Sequence, residues 1–137
     1  MTAEVHVSAA VVLDHDRRAL LVRKRGTRTF MQPGGKPEPD ETPAATLARE
    51  LFEEVGLSVD PDALEPLGQF RADAANEPGF TVVAHAFRVR HAVTASEVTI
   101  GAEIEELRWF DEAEASVVPL APLSHVLLPL VWGASRG

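Results

Sequence analysis

The sequence contains no cysteine among its 137 residues, and this absence removes several kinds of chemistry at once. Disulfides, thiolate metal sites and a cysteine nucleophile are all excluded. The sequence also has no run near the roughly 18 apolar residues that a membrane span needs. Its first residues carry acidic groups instead of a basic segment, so we infer no signal peptide. We expect no membrane partner and a cytoplasmic location.

Positive charge is also scarce. Lysine and arginine number 13 against 21 aspartates and glutamates, which gives a formal net charge of −8. A nucleic-acid-binding domain is expected to show a basic face, so we expect no nucleic-acid partner. The basic residues are concentrated, because six of the thirteen fall within one short segment: Arg17, Arg18, Arg23, Lys24, Arg25 and Arg28. An acidic site beside this basic strand suits a small anionic substrate that is bridged by metal.

The length and the pattern of apolar residues predict one domain, residues 1–137, of the α/β (α+β) class. Apolar and β-branched runs predict strands, and a helical pattern follows near the C-terminus. The predicted strands are Val5–Leu13, Ala19–Arg25, Leu67–Ala72, Phe80–Val89 and Glu106–Phe110, and the C-terminal helix is Leu120–Val131. This order predicts a mixed sheet covered by helices.

The segment from Gly35 to Leu57 predicts a helix with clear boundaries. Thr42 and Pro43 are a capping residue and a first-turn proline, and Gly56 is placed to end the helix. The predicted apolar stripe is Ala44, Ala45, Ala48, Leu51, Phe52 and Val55. With that stripe facing the core, the opposite face of the helix is expected to look outward.

Three carboxylates share that outward face. Glu50, Glu53 and Glu54 are spaced at i, i+3 and i+4, so they project together from a helix. Like charges at this spacing destabilise a helix, and a bound divalent cation would offset them. Mg²⁺ is the expected cofactor and Mn²⁺ a substitute, because both prefer oxygen ligands and often share their shell with substrate phosphates. The alternative reading is a solvated acidic helix face.

The same segment resembles the signature of the Nudix hydrolase superfamily. That signature is Gly, five residues, Glu, seven residues, then Arg-Glu-aliphatic-any-Glu-Glu-any-Gly-aliphatic. Every defined position is satisfied here, by Gly35, Glu41, Arg49, Glu50, Leu51, Glu53, Glu54, Gly56 and Leu57. The resemblance implies an α/β/α sandwich with a mixed central sheet. It also implies metal-assisted hydrolysis of a nucleoside diphosphate linked to another group. Homodimers are common among similar proteins.

The resemblance also assigns roles to residues. Glu50, Glu53 and Glu54 are expected to bind metal, Gly35 to offer its backbone carbonyl, and Arg49 to pair with a motif carboxylate. Glu41 is expected to support the loop. A glutamate outside the motif often completes such a site or acts as the base. Three candidates are available for that role, with Glu103 as first choice, Glu105 as second and Glu106 as third.

The sequence indicates the substrate less clearly than the reaction. Arg23 and Arg25 share a strand face, and their counterparts in similar proteins reach substrate. The remaining candidates for base or ribose contacts are Phe30, Arg71 and Asn76. The basic second strand favours a nucleoside triphosphate, oxidised or otherwise noncanonical forms included, cleaved to monophosphate and pyrophosphate. ADP-ribose or a nucleotide sugar is the alternative substrate, and a non-catalytic nucleotide sensor is the alternative class of protein.

Overall fold

The computed structural model describes residues 3–75, 77–101 and 103–133. Within these ranges the chain forms seven strands, three α-helices and two short 3₁₀ turns. The strands are β1 (Ala3–Val11), β2 (Ala19–Lys24), β3 (Phe30–Met31), β4 (Gly34–Gly35), β5 (Leu64–Asp73), β6 (Phe80–Val89) and β7 (Ile104–Phe110). The helices are α1 (Pro43–Val55), α2 (Glu112–Ala115) and α3 (Pro122–Trp132). No helix in the described ranges is both long and apolar enough to cross a membrane.

The strands lie in two sheets, one mixed and one antiparallel. The mixed sheet has the order β4-β1-β6-β5, and the antiparallel sheet has the order β3-β2-β7. Strand β1 runs parallel to β6, from the pair Ala3 and Phe80 to the pair Val11 and Arg88. The edge strand β4 pairs antiparallel with β1 through Gly34 and Gly35, which brings the start of the motif to the edge of the mixed sheet.

Both faces of β1 are buried in its second half, and each face packs on a different helix. Ala9 and Val11 belong to a core cluster that includes residues of α3. Ala10 and Val12, which point the opposite way, belong to a second cluster that includes Leu47 of α1. Because side chains alternate along a strand, this burial pattern places one helix on each side of the sheets. The predicted α/β/α sandwich with a mixed sheet is confirmed.

Helix α1 begins and ends where the sequence predicts. Thr42 is the N-cap, and its hydroxyl accepts a hydrogen bond from the backbone N–H of Ala45 at 3.1 Å. Gly56 ends the helix in the left-handed conformation, with φ of 67°. Its N–H donates to the carbonyl of Phe52 at 3.0 Å. Glycine reaches this conformation without the Cβ penalty that other residues incur.

The predicted apolar stripe of α1 was correct at Leu51 and Val55, which are buried, and wrong at Phe52. Phe52 is 61% exposed, whereas Leu47 and Glu54 are buried. The stripe that packs on the sheet contains Leu47, Leu51 and Val55, which repeat every four residues. Glu54 lies three residues after Leu51 and is carried inward with that stripe. The three motif carboxylates therefore do not all look outward.

Several other boundaries differ from the predictions. The segment from residue 26 to residue 35, expected to be a loop, contains β3 and β4. Strands β5 and β7 begin earlier than predicted, at Leu64 and Ile104, because their first residues pair with β6 and β2. Helix α3 begins at Pro122. Short apolar segments give little periodicity, so tertiary pairing decides their ends.

Candidate active site

A cavity of about 530 Å³ opens at the β4 edge of the mixed sheet. Its charged lining residues are Lys24, Lys36, Glu38, Arg49, Glu50, Glu54, Asp73, Glu77 and Glu103, of which Asp73 and Glu77 belong to the end of β5 and the loop that follows it. It is also lined by apolar residues of β1, β6 and α3, namely Val5, Val7, Val82, Ala121 and Leu123. Val5 and Val7 point to the same face of β1 as Ala9, which packs toward α3. The cavity therefore joins a charged region near α1 to an apolar wall on the α3 side.

Arg49 holds the charged region together. Its Nε and Nη2 donate to the two carboxylate oxygens of Glu41 at 2.7 and 3.0 Å, and its Nη1 donates to Glu50 Oε1 at 2.8 Å. Nη2 also donates to the backbone carbonyl of Lys36 at 3.0 Å. The hydrogen bonds from Arg49 lower the pKa of Glu41 to about 2. This two-pronged contact is the strong form of arginine–carboxylate pairing, and it ties the helix to the loop that precedes it.

Glu54 is the buried carboxylate of the site. Its side chain is 9% exposed, and Oε1 accepts a hydrogen bond from the backbone N–H of Gly34 at 3.0 Å. Burial raises the pKa of Glu54 to about 7, although the Gly34 N–H and the nearby charge of Lys24 oppose this effect. Burial also raises the pKa of Glu50, against the opposing effect of Arg49. Carboxylates that are desolvated and close to one another favour a proton or a cation as partner.

Glu103 reaches the same cavity because the preceding loop caps the C-terminal end of α1. The N–H groups of Thr99 and Gly101 donate to the carbonyls of Val55 and Glu54 at 2.9 and 2.8 Å. A Cβ on Gly101 would lie 1.9 Å from the Glu53 carbonyl oxygen, so only glycine lets the loop approach so closely. Glu103 then adopts a left-handed conformation, with φ of 70°.

The other two glutamates of the second acidic cluster are engaged elsewhere. Glu105 lies 3.7 Å from Arg25, and Glu106 lies 3.2 Å from Arg23. Neither lines the cavity, whereas Glu103 does. This arrangement supports the first choice among the three.

The structure does not bring Glu53 into the cavity. Its side chain is 55% exposed, and its carboxylate oxygens lie 3.3 and 3.4 Å from Arg49 Nη1. The rotation of α1 explains the difference, because the turn that carries Glu54 inward leaves Glu53 on the outer face.

Four of the five residues predicted to contact substrate also lie outside the cavity. Arg23 and Arg25 pair with the second acidic cluster on β7, and Arg71 of β5 pairs with Glu4 of β1, across the intervening strand β6. Phe30 is buried, with its ring 5.0 Å from that of Phe110. Asn76, the last of these predictions, lies outside the described residues.

The sequence predictions missed several polar residues of the cavity, among them Lys24, Lys36 and Gln32. Alternation along β2 could have separated Lys24 from Arg23 and Arg25, because it points to the other face. Lys36 follows the two glycines directly, and its position next to Gly35 was the available signal. Gln32 carried no signal in the sequence.

A family model settles how these features are related. The NUDIX domain model matches residues 4–131, which is nearly the whole chain. The chain belongs to the Nudix hydrolase family. The motif carboxylates on α1 and the glycines on β4 are thus parts of a Nudix hydrolase fold.

Individual Nudix relatives support the same placement. A MutT-like protein of Streptomyces ambofaciens is 45% identical over 56 residues, which is 41% of this chain. The match spans 36% of that relative, about a third of its length. The solution structure of the E. coli ORF135 protein has a TM-score of 0.72 and 28% identity, over 99% of this chain and 93% of that one.

A second similar structure was solved with a bound ligand. The Nudix domain of Shewanella oneidensis NrtR, solved with ADP ribose, has a TM-score of 0.74 over 100% of this chain and 91% of that one. Its identity is 22%, so it shows similarity of fold. Nucleotide binding by that domain is a property of the neighbour.

Nudix hydrolases generally use divalent metal ions, so the question is whether the cavity offers suitable ligands for one. Among the described residues no group of three or more acidic or histidine side chains is close enough to hold a metal ion. Mg²⁺, however, is usually bound by one or two carboxylates, with water and substrate phosphates completing its shell. Glu50 and Glu54 provide such a pair in one cavity. These residues fit a cation that is bound jointly with a phosphorylated substrate.

Two neighbouring glycines should respond differently to alanine, and this difference tests the geometry of the Nudix motif. A Cβ on Gly35 would lie 2.4 Å from Cδ of Glu50. The flexible carboxylate can move away, so we expect Gly35→Ala to lower kcat about tenfold or more, with a Tm within a few degrees of wild type. Displacement of an active-site group by about 1 Å can lower the rate by this amount.

The Gly34→Ala variant is the matched comparison. Its Cβ would lie 2.1 Å from the Ser8 carbonyl oxygen, and φ at this residue is 156°. Backbone cannot yield as a side chain does, so we expect a clear loss of thermal stability. Circular dichroism melts and activity assays on both variants distinguish the two effects. Equal loss of stability in both variants would contradict the proposed displacement of Glu50.

Proposed function

We propose that the protein hydrolyses a phosphoanhydride bond in a nucleoside diphosphate that is linked to another group. The leading substrate is a nucleoside triphosphate, oxidised or otherwise noncanonical forms included, with monophosphate and pyrophosphate as products. The observation that carries this proposal is the single cavity in which the motif carboxylates meet cationic side chains and an apolar wall. We further propose that residues 1–137 act as one Nudix domain in the cytoplasm.

The proposed metal site uses Glu50, Glu54, Glu103 and the backbone carbonyl of Gly35, with Mg²⁺ as the preferred ion and Mn²⁺ as a substitute. When bound, the ion neutralises phosphate oxygens and makes a water molecule easier to deprotonate. Glu53 lies outside the cavity, and we assign it to the ion pairs of Arg49. Arg49 positions Glu50 through their 2.8 Å hydrogen bond.

The chemical step balances with the groups in the cavity. The oxygen of a water molecule bonds to phosphorus, and the anhydride P–O bond breaks, with its electron pair leaving on pyrophosphate. A carboxylate of the cavity accepts the proton that the water releases. Lys24 and Lys36 line the same cavity and offset negative charge on the phosphates. Positioning and electrostatics of this kind supply most of the rate enhancement in phosphoryl transfer.

The size of the cavity is consistent with a nucleotide. Ligand cavities in proteins span about 300–1,000 Å³ and are mostly apolar with a few placed polar groups. The cavity here falls in that range, at about 530 Å³. Arg23 and Arg25 do not provide an argument for a triphosphate substrate, because both side chains form ion pairs with glutamates of β7. Lys24 and Lys36 take their place in the proposal.

A substrate panel tests the proposed function. The protein with Mg²⁺, and separately with Mn²⁺, is assayed against nucleoside triphosphates, ADP-ribose, NADH, nucleotide sugars and dinucleoside polyphosphates. We expect the highest kcat/KM for a triphosphate, with pyrophosphate as product. A higher value for ADP-ribose or a nucleotide sugar would select the alternative substrate. Binding of nucleotide and metal without turnover of any compound would favour the sensor alternative and contradict the proposal.

A further inference from the structure

Gln32 places an amide group at the wall of the cavity. The residue follows β3, is 7% exposed and lines the cavity. Its Oε1 accepts a hydrogen bond at 2.7 Å from the hydroxyl of Ser124, a fully buried residue of α3. Its Nε2 is the one buried side-chain polar atom without a hydrogen-bond partner among the described residues. One end of the amide is therefore fixed, and the other has nothing to bond.

An unpartnered amide N–H is costly in a folded protein. Leaving a buried donor unsatisfied costs about 1–3 kcal/mol, and native structures contain few such groups. In the structure the Ser124 hydroxyl donates to Oε1, so the group left free is the Nε2 donor. Nε2 is itself buried, so it contacts a ligand only if the amide turns. Gln32 lines the cavity and the last torsion of its side chain is soft, which allows that turn.

The surroundings of Gln32 indicate which part of a nucleotide comes close to it. The apolar wall formed by Val5, Val7, Val82 and Leu123 lies on the α3 side of the sheet, as does Ser124. The carboxylates that would face the phosphates belong to α1 and to the loop before β7. A flat, uncharged group suits the apolar wall, and in a nucleotide that group is the base.

We infer that Gln32 is a specificity-determining residue whose amide N–H donates to a carbonyl oxygen on the base of the substrate. Guanine and the uracil or thymine ring carry a carbonyl acceptor at the position where adenine and cytosine carry an amino donor. The cavity should therefore prefer keto bases, oxidised guanine included. This inference rests on the proposed function, because it names the class of base that the same cavity accepts.

Substitutions at Gln32 test the inference through a ratio of rates. The quantity measured is kcat/KM for GTP divided by that for ATP, and the same ratio for UTP and CTP. We expect wild type to favour the keto base about tenfold or more, because a buried polar group left unpaired by the wrong substrate gives strong discrimination. Gln32→Met keeps the approximate volume and removes the amide, so its ratio should approach one. Gln32→Glu replaces the donor with an acceptor and should lower the ratio further.

Ser124→Ala is the control for positioning. It frees the fixed end of the amide without removing the N–H, so a partial loss of the ratio is expected. A purely structural role for Gln32 predicts equal losses for all four nucleotides together with a lower Tm, and that result would overturn the inference. An equal ratio in wild type and Gln32→Met would overturn it as well.

Failure of the proposed function would be seen separately. If wild type hydrolyses none of the four triphosphates, their turnover is refuted, and base preference is read from equilibrium binding of GMP, UMP, AMP and CMP. Tighter binding of GMP and UMP that is lost in Gln32→Met would support the inference. Equal affinities for all four would refute it.

Discussion

Replacement of Glu54 by glutamine is expected to lower kcat/KM by about 10²–10³-fold, a loss typical of removing one preorganised charged group from an active site. The substitution keeps the size of the side chain and an oxygen that can accept the hydrogen bond from Gly34. It removes the buried negative charge that we propose as a metal ligand. Loss of activity should therefore occur without loss of fold.

The same variant should be more stable than wild type when no metal is present. Burial raises the folded-state pKa of Glu54 from 4.5 to about 7, so the protonated form is favoured by folding. That contribution is complete below about pH 4.5 and is lost as pH rises toward 7. Above pH 7 the ionised carboxylate costs up to about 3 kcal/mol. Melts in EDTA at pH 8 should give a higher Tm for Glu54→Gln, and the gap should close near pH 4.5.

Glu53→Gln is the matched control on the same helix. Its side chain is 55% exposed and does not line the cavity. We expect a loss of activity of about tenfold or less, since its assigned role is to pair with Arg49. Comparable losses of activity in the two variants would contradict the assignment of Glu54 as the buried ligand and Glu53 as an outer partner.

Replacement of Arg49 by alanine should weaken both the fold and the reaction. The change leaves Glu41, Glu50 and Glu53 without their shared cation. Hydrogen bonds between charged groups contribute about 1.5–3 kcal/mol each, so we expect a fall of at least about 2 kcal/mol in the free energy of unfolding. Activity should fall about 10²-fold, because Glu50 is then no longer held in position.

The pKa of Glu41 gives a direct readout of the same change. Arg49 holds this pKa at about 2, below its ordinary value of 4.5. The stabilisation is present above pH 4.5 and disappears as pH falls toward 2. In Arg49→Ala, NMR titration should find the pKa of Glu41 raised toward 4.5, although the hydrogen bonds from the Glu38 N–H and the Thr46 hydroxyl still lower it. Arg49→Lys keeps the charge but not the two-pronged contact, so an intermediate value is expected. An unchanged pKa in both variants would rule out the proposed network.

Local signals in the sequence were sufficient to place the motif helix. Thr42 and Gly56 mark its ends because capping requires particular residue types at particular positions. Spacing alone also predicted that Glu50, Glu53 and Glu54 lie near one another. It could not decide how the helix is rotated against the sheet. The predicted stripe shared Leu51 and Val55 with the observed one but contained Phe52 instead of Leu47. The packing of Leu47 on β1 and β2, which accompanies the burial of Glu54, depends on contacts distant in sequence.

The second acidic cluster shows the same limit. Residue type gave three candidates with Glu103 as first choice. The structure separates them, because Glu103 follows the loop that caps α1 and lines the cavity, whereas Glu105 and Glu106 pair with arginines of β2 and the turn after it. Substrate contacts were predicted least well, because each depends on which face of a strand borders the cavity. On the antiparallel sheet, Arg23 pairs with Glu106 and Phe30 packs against Phe110. Their neighbours in sequence, Lys24 and Gln32, line the cavity instead.

The most direct test of the central claim is a ³¹P NMR time course of nucleoside triphosphate hydrolysis by the wild-type protein. With Mg²⁺ present, we predict the appearance of monophosphate and pyrophosphate. With EDTA in place of Mg²⁺, or with Glu54→Gln in place of wild type, the spectrum should stay that of the triphosphate over the same interval. Equal rates of product formation in all three samples would contradict a metal-dependent reaction at this cavity.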